Sequence, residues 1–429
     1  MGTLIRNARI ITQDTERRIL QADILIGKDR IERIGTGLPK RGVDEVIDAS
    51  GKIAFPGLVN AHTHIAMSLF RGYGEGLPLK RWLEEKIWPA EEKLEEEDIY
   101  WGTLLGAIEM IRSGTTCFSD MYMLGLARMA DAAGEIGIRA VISQGLFDAA
   151  KHRTPEAEMA KMEKIANELA KTNPRIKAAV GAHAVYSCSE DLLRLAKEFA
   201  SYHNLPFHIH VGETREEVFS CLESRKMRPV EYLESIGAAD SGSIFAHMGW
   251  VTKREISIAG KCGVNVVHCP ISNLKLATGG ICPVAEFMEA GANVALGTDG
   301  PASNNSQDMI ETMKIALLLQ SHKYWDAQKM SPAQIWDCAT INGARALGFD
   351  SGSIEEGKLA DIVLVDAKAA NLLPLHNDLR SIAYSLNPSN VTDVMINGKF
   401  VLREKKITLV DEELVLEKAA DVAHEVVSR

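Results

Sequence analysis

Short apolar stretches rich in β-branched residues alternate with amphipathic segments through the middle of the chain. Eight such stretches are predicted as strands, at residues 53–60, 115–120, 139–146, 176–182, 206–211, 243–247, 264–268 and 294–298. Segments with helical spacing of apolar positions lie between them, for example 191–203, 228–236 and 283–290. Eight strands alternating with helices predict an α/β fold of the TIM-type (β/α)8 barrel class. An open doubly wound sheet is the alternative, but the chain has no GxGxxG turn.

The two ends of the chain follow a different pattern. Residues 4–47 alternate between apolar and polar positions and are interrupted by turns, and the same texture returns in 358–366 and 394–401. Alternation of this kind is typical of antiparallel strands. We therefore expect a small β-sandwich domain assembled from residues 1–55 and 357–410. It would flank a catalytic barrel at 56–356, and a C-terminal helix would follow at 411–429.

Composition narrows the class of protein. The 429 residues carry a formal net charge of −10, and no long basic stripe appears, which argues against a nucleic-acid partner. No apolar run approaches the roughly 20 residues that span a bilayer, and the N-terminus lacks the apolar core of a signal peptide. The seven cysteines are odd in number and form no CxxC pair. We expect a soluble cytoplasmic protein with no membrane partner.

Polar residues fall where the predicted strands end. Seven of the twelve histidines lie at or next to these ends, together with one aspartate: His62, His64, His183, His208, His210, His247, His268 and Asp299. Active sites of barrels form at the carboxyl ends of the strands. The placement therefore predicts a site at that end.

Four of these side chains have the chemistry of metal ligands. His62 and His64 are two residues apart on one strand, so both rings can face the barrel mouth. His210 is a third nitrogen ligand, although His208 shares its strand face and competes for the role. Asp299 supplies an oxygen, or it is simply the turn residue of an Asp-Gly pair. Three neutral imidazoles and one carboxylate would leave a divalent ion positively charged, which favours ionisation of bound water.

Two further residues could handle protons. Glu213 follows His210 by three positions and could shuttle a proton to a ring nitrogen. Its alternative is a carboxylate at the start of a helix, which the helix dipole favours. His247 ends the sixth strand and could orient or deprotonate the nucleophilic water, a duty that Asp299 could share. Its alternative is a buried, backbone-bonded histidine.

Taken together, these residues resemble the amidohydrolase superfamily, whose single-metal deaminases carry the same ligands on the same strands. Within it, the 5-methylthioadenosine/S-adenosylhomocysteine deaminases are similar in five segments: 60–72, 77–83, 87–91, 268–276 and 298–305. The chain departs from them at Cys269, where that family usually has asparagine. Pro270 and Asn273 of the same motif are retained.

The resemblance implies a role for each matching residue. One divalent metal ion would be held by His62, His64, His210 and Asp299, most simply Zn²⁺, with Fe²⁺, Mn²⁺ or Co²⁺ as substitutes. Glu213 would protonate the purine at N1, while His247 and Asp299 steer the nucleophile. The remaining substrate contacts would be Glu91 to the ribose hydroxyls, His183 to the nucleoside, Trp82 to the pocket wall and Arg153 to the 5′ substituent. The partner would be a small nucleoside, and the family tends to form homo-oligomers.

Alternatives remain open from the sequence. The first is another aminohydrolase of the superfamily, acting on guanine, cytosine or a triazine. The second is a barrel without activity that serves as a binding module. A two-metal hydrolase commonly needs a lysine or glutamate after the fourth strand, where this chain has His183. The 5′ substituent of the nucleoside is not predicted.

Overall fold

The strands of the protein form two separate sheets. The computed structural model describes residues 2–40, 42–149 and 153–429. The strands near the start are β1 Gly2–Ile11, β2 Ile19–Gly27, β3 Arg30–Gly35, β4 Glu45–Asp48 and β5 Lys52–Pro56. The central strands are β6 Leu58–Thr63, β7 Thr115–Tyr122, β8 Arg139–Leu146, β9 Ile176–Ala184, β10 Phe207–Val211, β11 Ser243–His247, β12 Asn265–His268 and β13 Asn293–Leu296. The last strands are β14 Ile362–Asp366, β15 Val391–Ile396, β16 Lys399–Arg403 and β17 Lys406–Ile407.

Helices connect the central strands and extend beyond them. The first half of the chain has α1 Leu79–Trp82, a π-helical turn at Leu83–Ile87, α2 Trp88–Glu91, α3 Glu96–Arg112, α4 Leu126–Ile136, α5 Pro155–Leu169 and α6 Glu190–Tyr202. The second half has α7 Arg215–Arg225, α8 Pro229–Ser235, α9 Lys253–Cys262, α10 Pro270–Lys275, α11 Val284–Glu289, α12 Pro301–Asn304, α13 Met309–Tyr324, α14 Pro332–Ala339, α15 Ile341–Ala346, α16 Asp378–Ser385 and α17 Glu412–Ser428. Short 3-10 turns occupy Ile65–Phe70 and Pro388–Asn390. Throughout the described ranges, every helix is too short or too polar to cross a bilayer.

The central sheet is a parallel barrel. Strands β6 to β13 pair in sequence order, each parallel to the next. The circle closes where the Asp299 amide donates to the His62 carbonyl oxygen at 3.0 Å. Gly297 permits this approach, because a side chain there would lie 2.7 Å from the same oxygen. The prediction of a TIM-type barrel is confirmed.

Small and β-branched side chains fill the lower part of the barrel. Val59, Val141, Ala179, Val267 and Ala295 are buried together there. Such residues suit a closed parallel sheet, whose strands are covered on both faces. The polar residues of the same strands lie toward the carboxyl ends, so the packed interior forms the floor beneath them.

Both ends of the chain contribute to the second sheet, as predicted. Its order is β17-β16-β15-β14-β5-β1-β2-β3, with β4 alongside β1. Ile5, Ile24, Leu364 and Met395 share its buried core. The contact between β5 and β14 joins the two ends of the chain, which pair in antiparallel register.

One predicted strand is wrong. The apolar run predicts residues 53–60 as the first barrel strand, but the segment divides between β5 of the terminal sheet and β6 of the barrel. The change happens at Gly57, whose amide donates to Asp361 O at 3.0 Å, whereas the next amide, of Leu58, donates to Gly114 O at 3.0 Å. Pro56 has no amide hydrogen to continue the first ladder. The sequence does not show this change of sheet, because both strands are buried and the apolar run is continuous across it.

A buried ion pair connects the barrel to the terminal sheet, and we expect its loss to be costly. Arg139 at the start of β8 contacts Asp361 with two hydrogen bonds, of 2.6 and 3.0 Å, and both side chains are almost fully buried. Replacing Arg139 with methionine leaves the carboxylate buried without its partner. The free energy of unfolding, measured by chemical denaturation, should fall by about 3–5 kcal/mol. Arg81→Met, in an exposed pair with Glu85, is the control and should show no comparable loss.

Candidate active site

Side chains from β6, β10 and the end of β13 converge at the carboxyl end of the barrel. The ligand atoms of His62, His64 and His210 all lie within 4.8 Å of one another. The Oδ1 atom of Asp299 is 3.5 Å from Nε2 of His62 and 3.2 Å from Nε2 of His64. His62 and Asp299 also form an overlapping group with His247. The structure therefore brings all four predicted ligands together around one point.

Backbone carbonyls orient two of the imidazoles. His64 donates from Nδ1 to the carbonyl oxygen of Met121 at 2.6 Å, and His210 donates from Nδ1 to that of His183 at 2.6 Å. The Nδ1 proton of each ring is thereby fixed, and Nε2 faces the centre of the group. This is the usual arrangement of metal-binding histidines.

Two serines hold the carboxylate of Asp299. Ser272 and Ser303 donate to its Oδ2 at 2.5 and 3.0 Å, and Oδ1 faces the histidines. Its backbone has φ of 63°, a left-handed conformation that aspartate tolerates better than most residues. Asp299 is therefore both a turn residue and a carboxylate that faces the histidines.

The charges and donor atoms of the group suit a cation. Burial raises the pKa of Asp299, but the neighbouring His62 and His64 imidazoles outweigh it and hold this pKa well below its usual range. Burial lowers the pKa of His64, but the hydrogen bond and charge of Asp299 raise it to about 9. Without a metal, a proton on His64 thus balances the carboxylate. Nε2 of His62 is buried and has no hydrogen-bond partner in the part of the chain that the structure describes. Three imidazole nitrogens and one carboxylate oxygen, including the unpartnered nitrogen of His62, are donors of the kind that hold zinc.

Glu213 and His247 lie beside this group. Burial raises the pKa of Glu213, and its Oε2 is 3.9 Å from Nε2 of His247. Asn273 donates from Nδ2 to Nδ1 of His247 at 3.1 Å, so the proton of a neutral His247 ring is on Nε2. His247 is therefore held by a side chain rather than by the backbone.

The helix-start carboxylate is a different residue from Glu213. Glu217 accepts hydrogen bonds from the amides of Gly212 and Glu213, both at 2.8 Å, and Thr214 caps α7 through its hydroxyl. Glu217, rather than Glu213, is therefore the carboxylate at the start of the helix. This geometry favours a role for Glu213 in proton transfer.

His208 is buried below the ligands. It belongs to neither ligand group of the described residues, and its Nε2 lies 3.0 Å from Nδ1 of His62. His268 is buried at the end of β12, and burial lowers its pKa to about 3. Among the described residues, His208 and His268 therefore lie at strand ends without belonging to a ligand group.

The predicted substrate residues are distributed around the mouth. Glu91 accepts a hydrogen bond from the Tyr122 hydroxyl at 2.9 Å, and burial raises its pKa to about 7. His183 contacts the Ser187 hydroxyl through Nδ1 at 2.7 Å, and its ring centre is 5.2 Å from that of His210. Trp82 is buried at the end of α1. Glu91 and His183 are therefore next to the ligand group.

Arg153 is connected to the mouth through an aromatic ring. Its guanidinium lies 3.8 Å from the ring centre of Phe147, which is 6.4 Å from that of His183. It also pairs with Glu158 at 3.3 Å. Contact with a 5′ substituent stays a prediction for this residue.

Several residues of the site had no predicted role. Asp120 and Tyr122 end β7; Asp120 accepts from the Ile65 amide at 2.5 Å, and burial raises its pKa to about 7. Their position at a strand end is the same signal that identified the histidines. Ser272 and Asn273 belong to a motif noted in the sequence, but nothing in a sequence shows which atoms they contact.

Comparisons with known proteins agree with this architecture. The model of the amidohydrolase family matches residues 53–401. A 5′-deoxyadenosine deaminase of Methanothermobacter thermautotrophicus is 42% identical over 408 residues, which cover 95% of each chain. A 5-methylthioadenosine/S-adenosylhomocysteine deaminase of Thermoanaerobacter pseudethanolicus is 40% identical over 433 residues, which cover 100% of each.

A solved structure is similar over the same length. The crystal structure of an adenosine deaminase from Xanthomonas campestris with bound zinc superposes with a TM-score of 0.95 at 32% identity. The match covers 100% of this chain and 99% of that one.

Proposed function

Since the chain belongs to the amidohydrolase family, we propose that it is a metal-dependent deaminase of adenosine-type nucleosides. Its substrates would be 5′-deoxyadenosine, 5′-methylthioadenosine, S-adenosylhomocysteine or adenosine, and its products the inosine derivative and ammonia. Relatives at about 40% identity over nearly the whole chain carry names for this reaction. Catalysis of C–N hydrolysis follows from the same relationship.

The observation that carries this proposal is the position of Glu213. A carboxyl group whose pKa is raised by burial keeps its proton at higher pH than an exposed one. It faces His247 beside the ligand group, so a proton donor and a nucleophile site are adjacent. Replacement of a ring amino group needs both, because the ring nitrogen must gain a proton as oxygen adds to the neighbouring carbon.

We assign the metal to His62, His64, His210 and Asp299, and expect zinc. When bound, the metal supplies positive charge that lowers the pKa of water toward neutrality. The zinc-bound neighbour and the mixture of nitrogen and oxygen donors support this assignment.

The side chains of the protein would then act in sequence. Glu213 donates its proton to N1 of the purine, which makes C6 electrophilic. His247, with its proton on Nε2, and Asp299 orient the attacking water. One proton of the water passes through the Glu213 carboxylate to the amino group, and the C6–N bond breaks to release ammonia. The remaining hydroxyl proton returns to Glu213 as the C6 carbonyl forms. The net reaction consumes one water for each ammonia.

We assign substrate recognition to the residues around the mouth. Glu91 would accept hydrogen bonds from the ribose hydroxyls, as a carboxylate can take two donors at once. His183 would contact the nucleoside, Trp82 would line the pocket, and Arg153 would lie toward the 5′ substituent. The Tyr122 hydroxyl holds Glu91 in place.

A substrate panel tests the proposed function. The protein, loaded with a defined metal, is given 5′-deoxyadenosine, 5′-methylthioadenosine, S-adenosylhomocysteine, adenosine, guanine, cytosine and an amino-triazine, and ammonia release is measured. We expect turnover of the adenosine derivatives and little of the others. Preferential turnover of guanine, cytosine or the triazine would instead indicate another aminohydrolase, and turnover of none would indicate a binding module.

Glu91→Gln should weaken recognition of the ribose. Loss of the charged acceptor should lower kcat/KM for 5′-deoxyadenosine by about 10- to 100-fold, since hydrogen bonds to charged groups contribute about 1.5–3 kcal/mol. The matched comparison is the 2′,3′-dideoxy analogue, whose kcat/KM should not change further in the variant. Glu92→Gln, at the exposed neighbouring position, is the control. Equal losses on both substrates would show that Glu91 does not bind the ribose.

A further inference from the structure

His208 lies directly behind a proposed metal ligand. It is fully buried, and its Nε2 is 3.0 Å from Nδ1 of His62. The two rings meet edge-on, with centres 4.9 Å apart and planes at 67°. His208 shares a face of β10 with His210, but only His210 joins a ligand group. The chain therefore places an imidazole where it can contact a ligand but not the ion.

The protons of this pair follow from the ligand geometry. In the proposed site a metal would take the lone pair of His62 Nε2, a buried nitrogen with no hydrogen-bond partner among the described residues. The proton of His62 must then be on Nδ1, so His62 donates to Nε2 of His208. His208 can accept only if its own proton is on Nδ1, where the Ser119 hydroxyl lies at 3.4 Å. Binding of a metal to His62 Nε2 would thus fix the tautomers of both His62 and His208.

The three proposed histidine ligands differ in the group that lies against their Nδ1 atom. His64 and His210 donate to backbone carbonyl oxygens, which no substitution removes. Metal-bound histidines usually donate to a carbonyl, a carboxylate or water, and loss of such partners typically costs 10- to 100-fold in metal affinity. His62 donates to a side chain instead, so its orientation depends on the identity of residue 208.

We propose that His208 is a positioning residue, which accepts the Nδ1 proton of His62 and thereby holds that ring in the orientation that binds metal. The proposal rests on the metal site of the proposed function. It assigns the first histidine of the His208-Ile209-His210 segment a role distinct from coordination.

Three substitutions at one position test this role. Glutamine places its Oε1 near the position of the imidazole Nε2, whereas the shorter asparagine reaches only the position of Nδ1, and leucine offers no acceptor. Zinc dissociation constants are measured by competition with a chromophoric chelator, and the visible absorption of the Co²⁺-loaded proteins is recorded. His203→Gln, at the exposed residue that follows α6, is the control.

The expected order separates positioning from packing. His208→Asn and His208→Leu should bind zinc about 10- to 100-fold more weakly and change the Co²⁺ spectrum, whereas His208→Gln should stay within a few-fold of the unmodified protein. Should the leucine variant not fold, as judged by circular dichroism of the metal-free protein, the comparison of glutamine with asparagine decides. Unchanged affinity in the asparagine variant, or equal losses in all variants, overturns the positioning role. Absence of zinc binding by the unmodified protein would instead overturn the proposed metal site.

Discussion

Replacing Glu213 with glutamine should lower kcat by about 10²- to 10⁴-fold, the usual contribution of a positioned acid–base group. The amide is nearly isosteric and can still hydrogen-bond to the purine, but it has no proton to give and cannot accept one from water. Glu213 is not a predicted ligand, so the metal content should remain that of the unmodified protein. Steady-state ammonia release from 5′-deoxyadenosine, together with elemental analysis, measures both quantities.

The pH profile adds a second measurement on the same variant. Because burial raises the pKa of Glu213, the protonated form persists above the ordinary range, and kcat/KM should decline only as pH rises through that raised value. This alkaline decline should be absent from the residual activity of the variant. Glu216→Gln, an exposed neighbour in the first turn of α7, should behave like the unmodified protein. Turnover of Glu213→Gln at the unmodified rate would exclude Glu213 as the proton donor.

Replacing Asp299 with alanine should abolish both metal binding and turnover. The variant removes the only carboxylate of the proposed ligand set and leaves three imidazoles that would have to hold the ion alone. It also removes the acceptor that raises the pKa of His64 in the metal-free protein, so that pKa should fall from about 9, and burial would keep the ring neutral. Metal content after dialysis and ammonia release are the measurements. We expect substoichiometric metal and activity at background.

The control for this variant is an aspartate in an exposed turn. Asp326 accepts a hydrogen bond from the Gln328 amide at 2.8 Å and lies outside the barrel mouth. Asp326→Ala should keep full metal content and activity. A full complement of tightly held metal in Asp299→Ala would remove Asp299 from the ligand set and leave it only its role as a turn residue.

Strand ends could be predicted from the sequence because two separate patterns agree there. Apolar runs mark the strands, and histidines follow them at regular positions, so His62, His64, His210 and Asp299 could be grouped before any contact was known. The structure brings these four side chains together because all parallel strands of a barrel end at one rim. Only the roles assigned to them await the experiments above.

Other features depend on contacts that no linear pattern contains. The apolar run at 53–60 does not reveal that Gly57 and Leu58 hydrogen-bond to different sheets. His208 and His210 are equivalent by spacing, and only depth along β10 separates them. Glu213 precedes α7 and Glu217 lies in its first turn, so the sequence does not tell which carboxylate binds the backbone amides there. In the structure the amides of Gly212 and Glu213 donate to Glu217. In each case the hydrogen-bond partners decide the outcome, and for Gly57 and His208 these partners are distant in sequence.

The most direct test of the whole account is a metal titration of activity. Protein stripped of metal by a chelator is supplied with increasing zinc, and ammonia release from 5′-deoxyadenosine is followed at each addition. We expect no activity at the start, a linear rise to one equivalent of zinc per chain, and a plateau thereafter. Full activity in the metal-free protein, or a rise that continues to two equivalents, would contradict a single metal held by the histidines and aspartate at the barrel mouth.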